Sequence, residues 1–222
     1  MILLNTKNIL RSLYLIFSRK MKISIALAFL FVFTFWGCNR EDNPISQPTE
    51  EEADNVMPIG EEVSGKLLAA LKKELVQGIK NEGIVGATRL CNIRAMPLTH
   101  MLEVASEYPI HLRRTSFKYR NPKNAPDEFE ELALRYFEKE VKGKKPLPKD
   151  YIQKIKTEDK VYYYYYKPLK VGALCLNCHG DPASMDPSLV NLLKEKYPED
   201  KALNYSEGDL RGLVSIKIEY TE

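Results

Sequence analysis

Of 222 residues only 4 are cysteine, 3 are histidine and 1 is tryptophan. Four thiols build no disulfide framework once most of them are committed elsewhere. Three imidazoles, His100, His111 and His179, leave little for a catalytic acid–base pair beside a metal ligand. Long apolar runs are missing too: the longest, residues 23–37, is about 15 residues, short of the roughly 20 that span a bilayer as a helix. An excess of positive charge is also absent beyond the N-terminus. Lys7, Arg11, Arg19, Lys20 and Lys22 are five of the 33 basic residues and no acid accompanies them, leaving 28 bases against 30 acids. Nucleic-acid binding therefore has no electrostatic basis.

What is present begins with an export signal. Lys20 and Lys22 precede the apolar run, which ends at Gly37-Cys38, a basic n-region followed by an h-region. Residues 1–37 read as a signal peptide, with Met21 a more natural start than Met1. Gly37-Cys38 resembles a bacterial lipoprotein cleavage site, although Phe35 and Trp36 depart from the usual small and aliphatic residues; an ordinary cleaved signal or an uncleaved anchor are the alternatives. Cys38 is the lipidation candidate. The expected location is extracytoplasmic, anchored by lipid to a bacterial membrane on the periplasmic side or the cell surface. Residues 38–60, with Pro44, Pro48 and Glu50-Glu51-Glu52, read as an acidic flexible tether, and residues 61–222 as one domain with a substantial core.

The most specific signal is Cys175-Leu-Asn-Cys178-His179, a C-x-x-C-H run. It is the attachment motif of a c-type haem: two thiols bond the porphyrin vinyl groups and the adjacent imidazole reaches the iron. A thioredoxin-type pair would open a helix in a βαβ unit, whereas Gly180-Asp181-Pro182 is turn chemistry. A zinc site needs four ligands, and vicinal Cys178 and His179 rarely close on one ion. One covalent haem c is expected. With Cys38 assigned to lipid and Cys175 and Cys178 to haem, Cys91 is left as an unpaired thiol.

Local patterns place these residues. Val63, Leu67, Leu71, Leu75 and Ile79 recur every four residues as a helical stripe. A second helix runs over residues 84–106 with Ala87, Cys91, Ala95, Leu98, Leu102 and Ala105 on one face, and Pro97 should kink it. Residues 109–119 look extended. Asn124 and Asp127 are set to cap a helix burying Phe129, Leu132, Ala133, Tyr136 and Phe137. Residues 151–155 and 161–169 read as strands, with Tyr162 to Tyr166 buried on both faces. Asp186-Pro187 starts a short helix, and Val214, Ile216, Ile218 and Tyr220 alternate as a last strand. The pattern predicts an α+β fold with an antiparallel sheet.

A haem iron would take a second axial ligand from Cys91, Met96, His100, Met101, His111 or Met185. Cys91, with small Ala87 and Ala95 one turn away on either side, offers a flat helix face, but it also reads as an ordinary buried thiol. From spacing alone the choice stays open, with His111 and Met101 next.

The run Arg114-Thr-Ser-Phe-Lys-Tyr-Arg120-Asn-Pro-Lys-Asn-Ala-Pro126 resembles the signature of a bacterial single-haem c-type cytochrome domain family, as do Pro168-Leu169 with residues 175–180, and residues 208–215. The resemblance covers roughly residues 61–220. It implies a PAS-like antiparallel sheet with N-terminal helices, in a domain that occurs alone or fused to histidine kinases. It further implies Cys/His ligation, with Ala87, Cys91 and Ala95 in the frame of the ligating cysteine, although Met96 intervenes before Pro97. His179 and Cys91 are thus the expected iron ligands. Arg114 and Arg120 fall in the signature as candidate propionate contacts, with solvated strand charges as the alternative.

Thiolate ligation favours ferric iron and a low reduction potential. The expected function is a redox or gas sensor, with a diatomic gas as ligand and a redox or signalling protein as partner. The alternative is a single-haem electron carrier. An enzyme is not expected.

Overall fold

Five consecutive tyrosines set the middle of the molecule. The computed structural model describes residues 44–219, so the expected signal peptide, Cys38 and Tyr220 lie outside the described residues. In chain order these form β1 (Ile45–Ser46), α1 (Glu50–Val104), β2 (Ile110–Thr115), α2 (Glu128–Lys142), β3 (Tyr151–Lys156), β4 (Val161–Lys170), α3 (Ala173–His179), α4 (Pro187–Lys196) and β5 (Leu210–Glu219). The sheet order is β1-β3-β4-β5-β2 with every pair antiparallel. This is the α+β class the sequence predicts.

Alternation along β4 sends Tyr163 and Tyr165 to one face and Tyr164 and Tyr166 to the other. Tyr163 and Tyr165 join Val56, Ile59, Val63 and Leu67 of α1, while Tyr164 and Tyr166 join Ala133, Leu134 and Phe137 of α2. The strand is therefore sandwiched between helices, as its aromatic run predicts.

Four expectations are corrected. Residues 44–60 are not a tether. β1 pairs with β3, and Thr49 caps α1 through a box in which its hydroxyl accepts from the Glu52 N–H and the Glu52 carboxylate accepts from the Thr49 N–H. Glu50, Glu51 and Glu52 occupy the first turn, where the helix dipole favours negative charge. Val56 and Ile59, 0% and 5% exposed, belong to the core. Glu52 accepts hydrogen bonds from Lys154 and from the Tyr163 hydroxyl. Partial burial works against its charge, but these bonds and the Thr49 N–H hold its pKa down to about 2.

The two helical patterns, 63–79 and 84–106, are parted at Gly83 as their spacing implies, but the expected kink at Pro97 is absent. Gly83 has φ 68° and ψ −176°, a conformation open to glycine at little cost, whereas the dihedrals stay helical through Pro97. At Gly83 the chain folds back, so that Arg94 reaches Glu74 (3.6 Å).

The cap of α2 is Asp127 with Glu130, while Asn121 caps the short 3-10 turn Pro122–Asn124. The buried residues are Glu130, Ala133, Leu134 and Phe137, and Leu132 is 46% exposed. Leu134, two residues on, is buried where the sequence pattern expected Leu132 to be.

Candidate functional site

Strand β4 ends at Lys170, and after Val171 and Gly172 the chain turns into α3, whose seven residues carry Cys175, Cys178 and His179. The helix follows a strand, as in a dithiol oxidoreductase, but β4 and β5 on either side of it are antiparallel, so no βαβ unit exists here. Gly172 N–H donates to Cys175 Sγ at 3.4 Å, and Leu176 packs with Cys175 against Val171, Ala202 and Tyr205.

His179 is held on its outer side. Its Nδ1 lies 2.7 Å from the carbonyl of Ala202. A carbonyl can only accept, so Nδ1 carries the proton and Nε2 is left with its lone pair. Burial, and after it the Arg120 and Arg211 charges, push the imidazole pKa down to about 3, so the ring is neutral at neutral pH. Its own carbonyl accepts from the Tyr205 N–H (3.0 Å), whose ring meets the imidazole edge-on at 6.3 Å.

Arg120 ties this side together. Its Nε pairs with Asp200 at 3.0 Å, and its Nη2 donates to the carbonyls of Cys178 and Ala202. Asp200, with a side chain 7% exposed, also accepts from the Ala202 N–H. One guanidinium thus joins α3 to the loop that orients His179.

Opposite α3 stands the helical segment after Gly83. Cys91, Thr88 and Ala95 from that segment line one cavity with Cys175, Cys178 and His179. Thr88 Oγ1 donates to the carbonyl of Ile84 (2.9 Å) and sits 3.5 Å from Cys178 Sγ, so the thiol is the donor between them. Burial pushes the Cys91 thiol up, as does the neighbouring Cys178, while Arg114 and Arg120 act the other way. A second cavity of about 200 Å³ adjoins this one, which holds about 280 Å³, and the two share Leu71, Arg114, Arg120, Asn124, His179 and Arg211 in their walls.

Of the sequence-predicted residues, Cys91, Cys175, Cys178, His179, Arg114 and Arg120 come together here. Met96 also lines the cavity. Met185 lies in a different cleft with Leu176 and Leu189. His100 and His111, both exposed, converge on Glu103 at 3.8 and 3.0 Å, outside the cavity lining. Cys38 lies outside the described residues. Sequence reasoning missed Arg211 and Thr88. Arg211 stands beside Gly212 in a glycine-flanked run, a signal for irregular backbone that carries no hint of where the side chain goes.

The family model for Tll0287-like proteins (Tll0287) matches residues 41–219. A solved structure described as the crystal structure of the cyanobacterial heme-protein Tll0287 is 22% identical, with a TM-score of 0.53, covering 79% of this chain and 99% of that one. At that identity the likeness is one of fold. No curated protein matches significantly.

Proposed function

The chain belongs to the Tll0287-like family, and from that premise we propose that it is an extracytoplasmic haem c protein with Cys/His axial ligation, serving as a redox or gas sensor. One observation carries the reading: Cys91 faces a C-x-x-C-H helix across a single amphipathic cavity, with His179 already fixed as a neutral base. The lining suits a porphyrin. Leu71, Leu75, Ile84 and Leu174 contribute apolar wall, Cys175 and Cys178 line the same cavity, and the buried Nε of Arg114 has no partner among the described residues.

Cys175 and Cys178 would be the thioether anchors. His179 would present Nε2 to the metal, its Nδ1 hydrogen bond to Ala202 fixing the tautomer as is usual for a ligating imidazole. Cys91 would supply the opposing sulfur. When bound, the haem supplies a one-electron couple and, if an axial position opens, a site for a diatomic gas. Release of Cys91 would free the segment that carries it, and the non-helical joint at Gly83 is the natural place for that segment to pivot.

The fold reads as PAS-like because β5 lies between β2 and the β3–β4 hairpin. Residues 1–37 as signal peptide and Cys38 as lipid site complete the proposal, with a redox or signalling protein as partner. No helix among the described residues is long and apolar enough to cross a membrane. The proposal includes no enzymatic role.

Electron carriage is a second reading, favoured by the cavity edge at Leu174, which is 40% exposed and offers a route for electrons. Intact mass and a pyridine haemochrome spectrum of protein exported through a c-haem-competent periplasm test the haem. Absence of a porphyrin adduct overturns the proposal. Ferrous protein that binds CO readily favours sensing, and inertness favours the carrier.

A further inference from the structure

We propose that Arg114 and Arg211 form a guanidinium clamp for the two propionate carboxylates of the haem, at the polar end of the cavity. This rests on the haem reading above and names which of this chain's residues meet the group's charged edge.

Position is the first support. Arg114 lies two residues beyond Leu112 on β2, so alternation sends it to the α1 face of the sheet, past the end of the core that Leu112 joins. Arg211 arrives there differently. β4 and β5 pair Leu169 with Gly212 and Lys170 with Leu210, so Arg211 is the extra residue of a bulge. Such a residue is released from the ladder and its side chain re-aimed. Gly212 maintains the geometry: it has φ 153°, and a Cβ there would stand 2.3 Å from the Thr115 carbonyl oxygen. The close approach of β2 and β5 that it permits brings both arginines to one place. Both line both cavities.

Charge is the second support. Neither arginine is ion-paired with a carboxylate among the described residues. Arg211 donates to the Lys118 carbonyl (3.1 Å), and its guanidinium lies over the Tyr205 ring at 5.4 Å. Arg114 Nε is buried without a partner. Burial lowers the pKa of both, and Arg211 lowers that of Arg114 further. Two half-buried like charges close enough to act on one another, lining the same cavity, favour an anion between them. Arg120 is not part of the clamp, because Asp200 neutralises it and two carbonyls occupy its Nη2. Two guanidiniums without a paired carboxylate among the described residues match the two carboxylates that a haem carries, although Asp200 also acts favourably on Arg211, and Arg forks suit carboxylates.

The test uses holoprotein of Arg114→Gln, Arg211→Gln, Arg114→Lys and Arg211→Lys. It reads the propionate bending band by resonance Raman and the midpoint potential by spectroelectrochemistry. Each Gln variant should shift the band and lower the potential, since a cation beside the haem favours the reduced state. Each Lys variant should shift the band while keeping the potential nearer that of the parent, and these variants decide the matter if a Gln variant does not fold. Arg135→Gln, at the exposed Glu131 pair, should change neither. Haem-loaded variants with the parent band and potential would overturn the clamp, including the case of a site for free anions, while leaving the haem reading intact. A parent protein without covalent porphyrin would overturn both.

Discussion

His179 Nδ1 hydrogen-bonds to the carbonyl of Ala202 at 2.7 Å, and that carbonyl is itself positioned by Arg120, whose ion pair with Asp200 spans 80 residues of sequence. The orientation of the candidate ligand therefore depends on a guanidinium that makes no hydrogen bond to the imidazole itself. A chain of this kind behaves as a unit, so its members should not be removable singly without loss.

Arg120→Met leaves Asp200 buried and unpaired. Breaking one side of such a pair costs roughly 3–5 kcal/mol. We expect a clear drop in the urea midpoint and reduced haem loading, with Arg120→Met/Asp200→Leu recovering most of the stability but not the loading. Equal stability of the single variant and the parent in urea titration would count against this role.

Cys91→Ala should remove the low-spin thiolate signature from the ferric absorption and resonance Raman spectra. Covalent attachment should persist, because Cys175 and Cys178 are untouched. An unchanged ferric spectrum would exclude Cys91 as a ligand.

Glu52 provides a pH handle. Its folded-state pKa is depressed to about 2 from an ordinary 4.5, so its contribution is full above 4.5 and fades as pH falls toward 2. Glu52→Gln should destabilise the protein at pH 7 by about 1–3 kcal/mol, the range for hydrogen bonds to a charged group lost from a partly buried site. The gap between variant and parent should close as pH falls through that window, as followed by circular dichroism in urea.

Gly60 and Gly65 make a matched pair on α1. A Cβ at Gly60 would sit 2.1 Å from Cγ of the Tyr165 ring, whereas Gly65 has nothing within 4 Å. Alanine gains about 0.8–1.0 kcal/mol over glycine in a helix interior. At Gly65 that gain should appear as a raised Tm. At Gly60 the overpacking cost of about 1–3 kcal/mol exceeds it, because Tyr165 is fully buried and cannot swing away, and Tm should fall.

Much of this protein is written locally. The C-x-x-C-H run, the four-residue spacing from Val63 to Ile79, the tyrosine strand and the alternation from Val214 to Ile218 depend on neighbours within a few residues, and periodicity reports them directly. What the sequence pattern could not reveal is decided by partners distant in the chain. Glu50 to Glu52 look like a solvated acidic run until Lys154 and Tyr163 arrive from β3 and β4 to meet Glu52. Pro97 looks like a helix breaker, yet the dihedrals stay helical through it, and the chain reverses only at Gly83, between the two helical patterns, where a positive φ costs little. Arg114, Arg120 and Arg211 carry the same group. All three line the cavity, and tertiary structure alone pairs one with Asp200 and leaves the other two without a carboxylate partner among the described residues, because charge pairing is set by distance in space and not by distance along the chain.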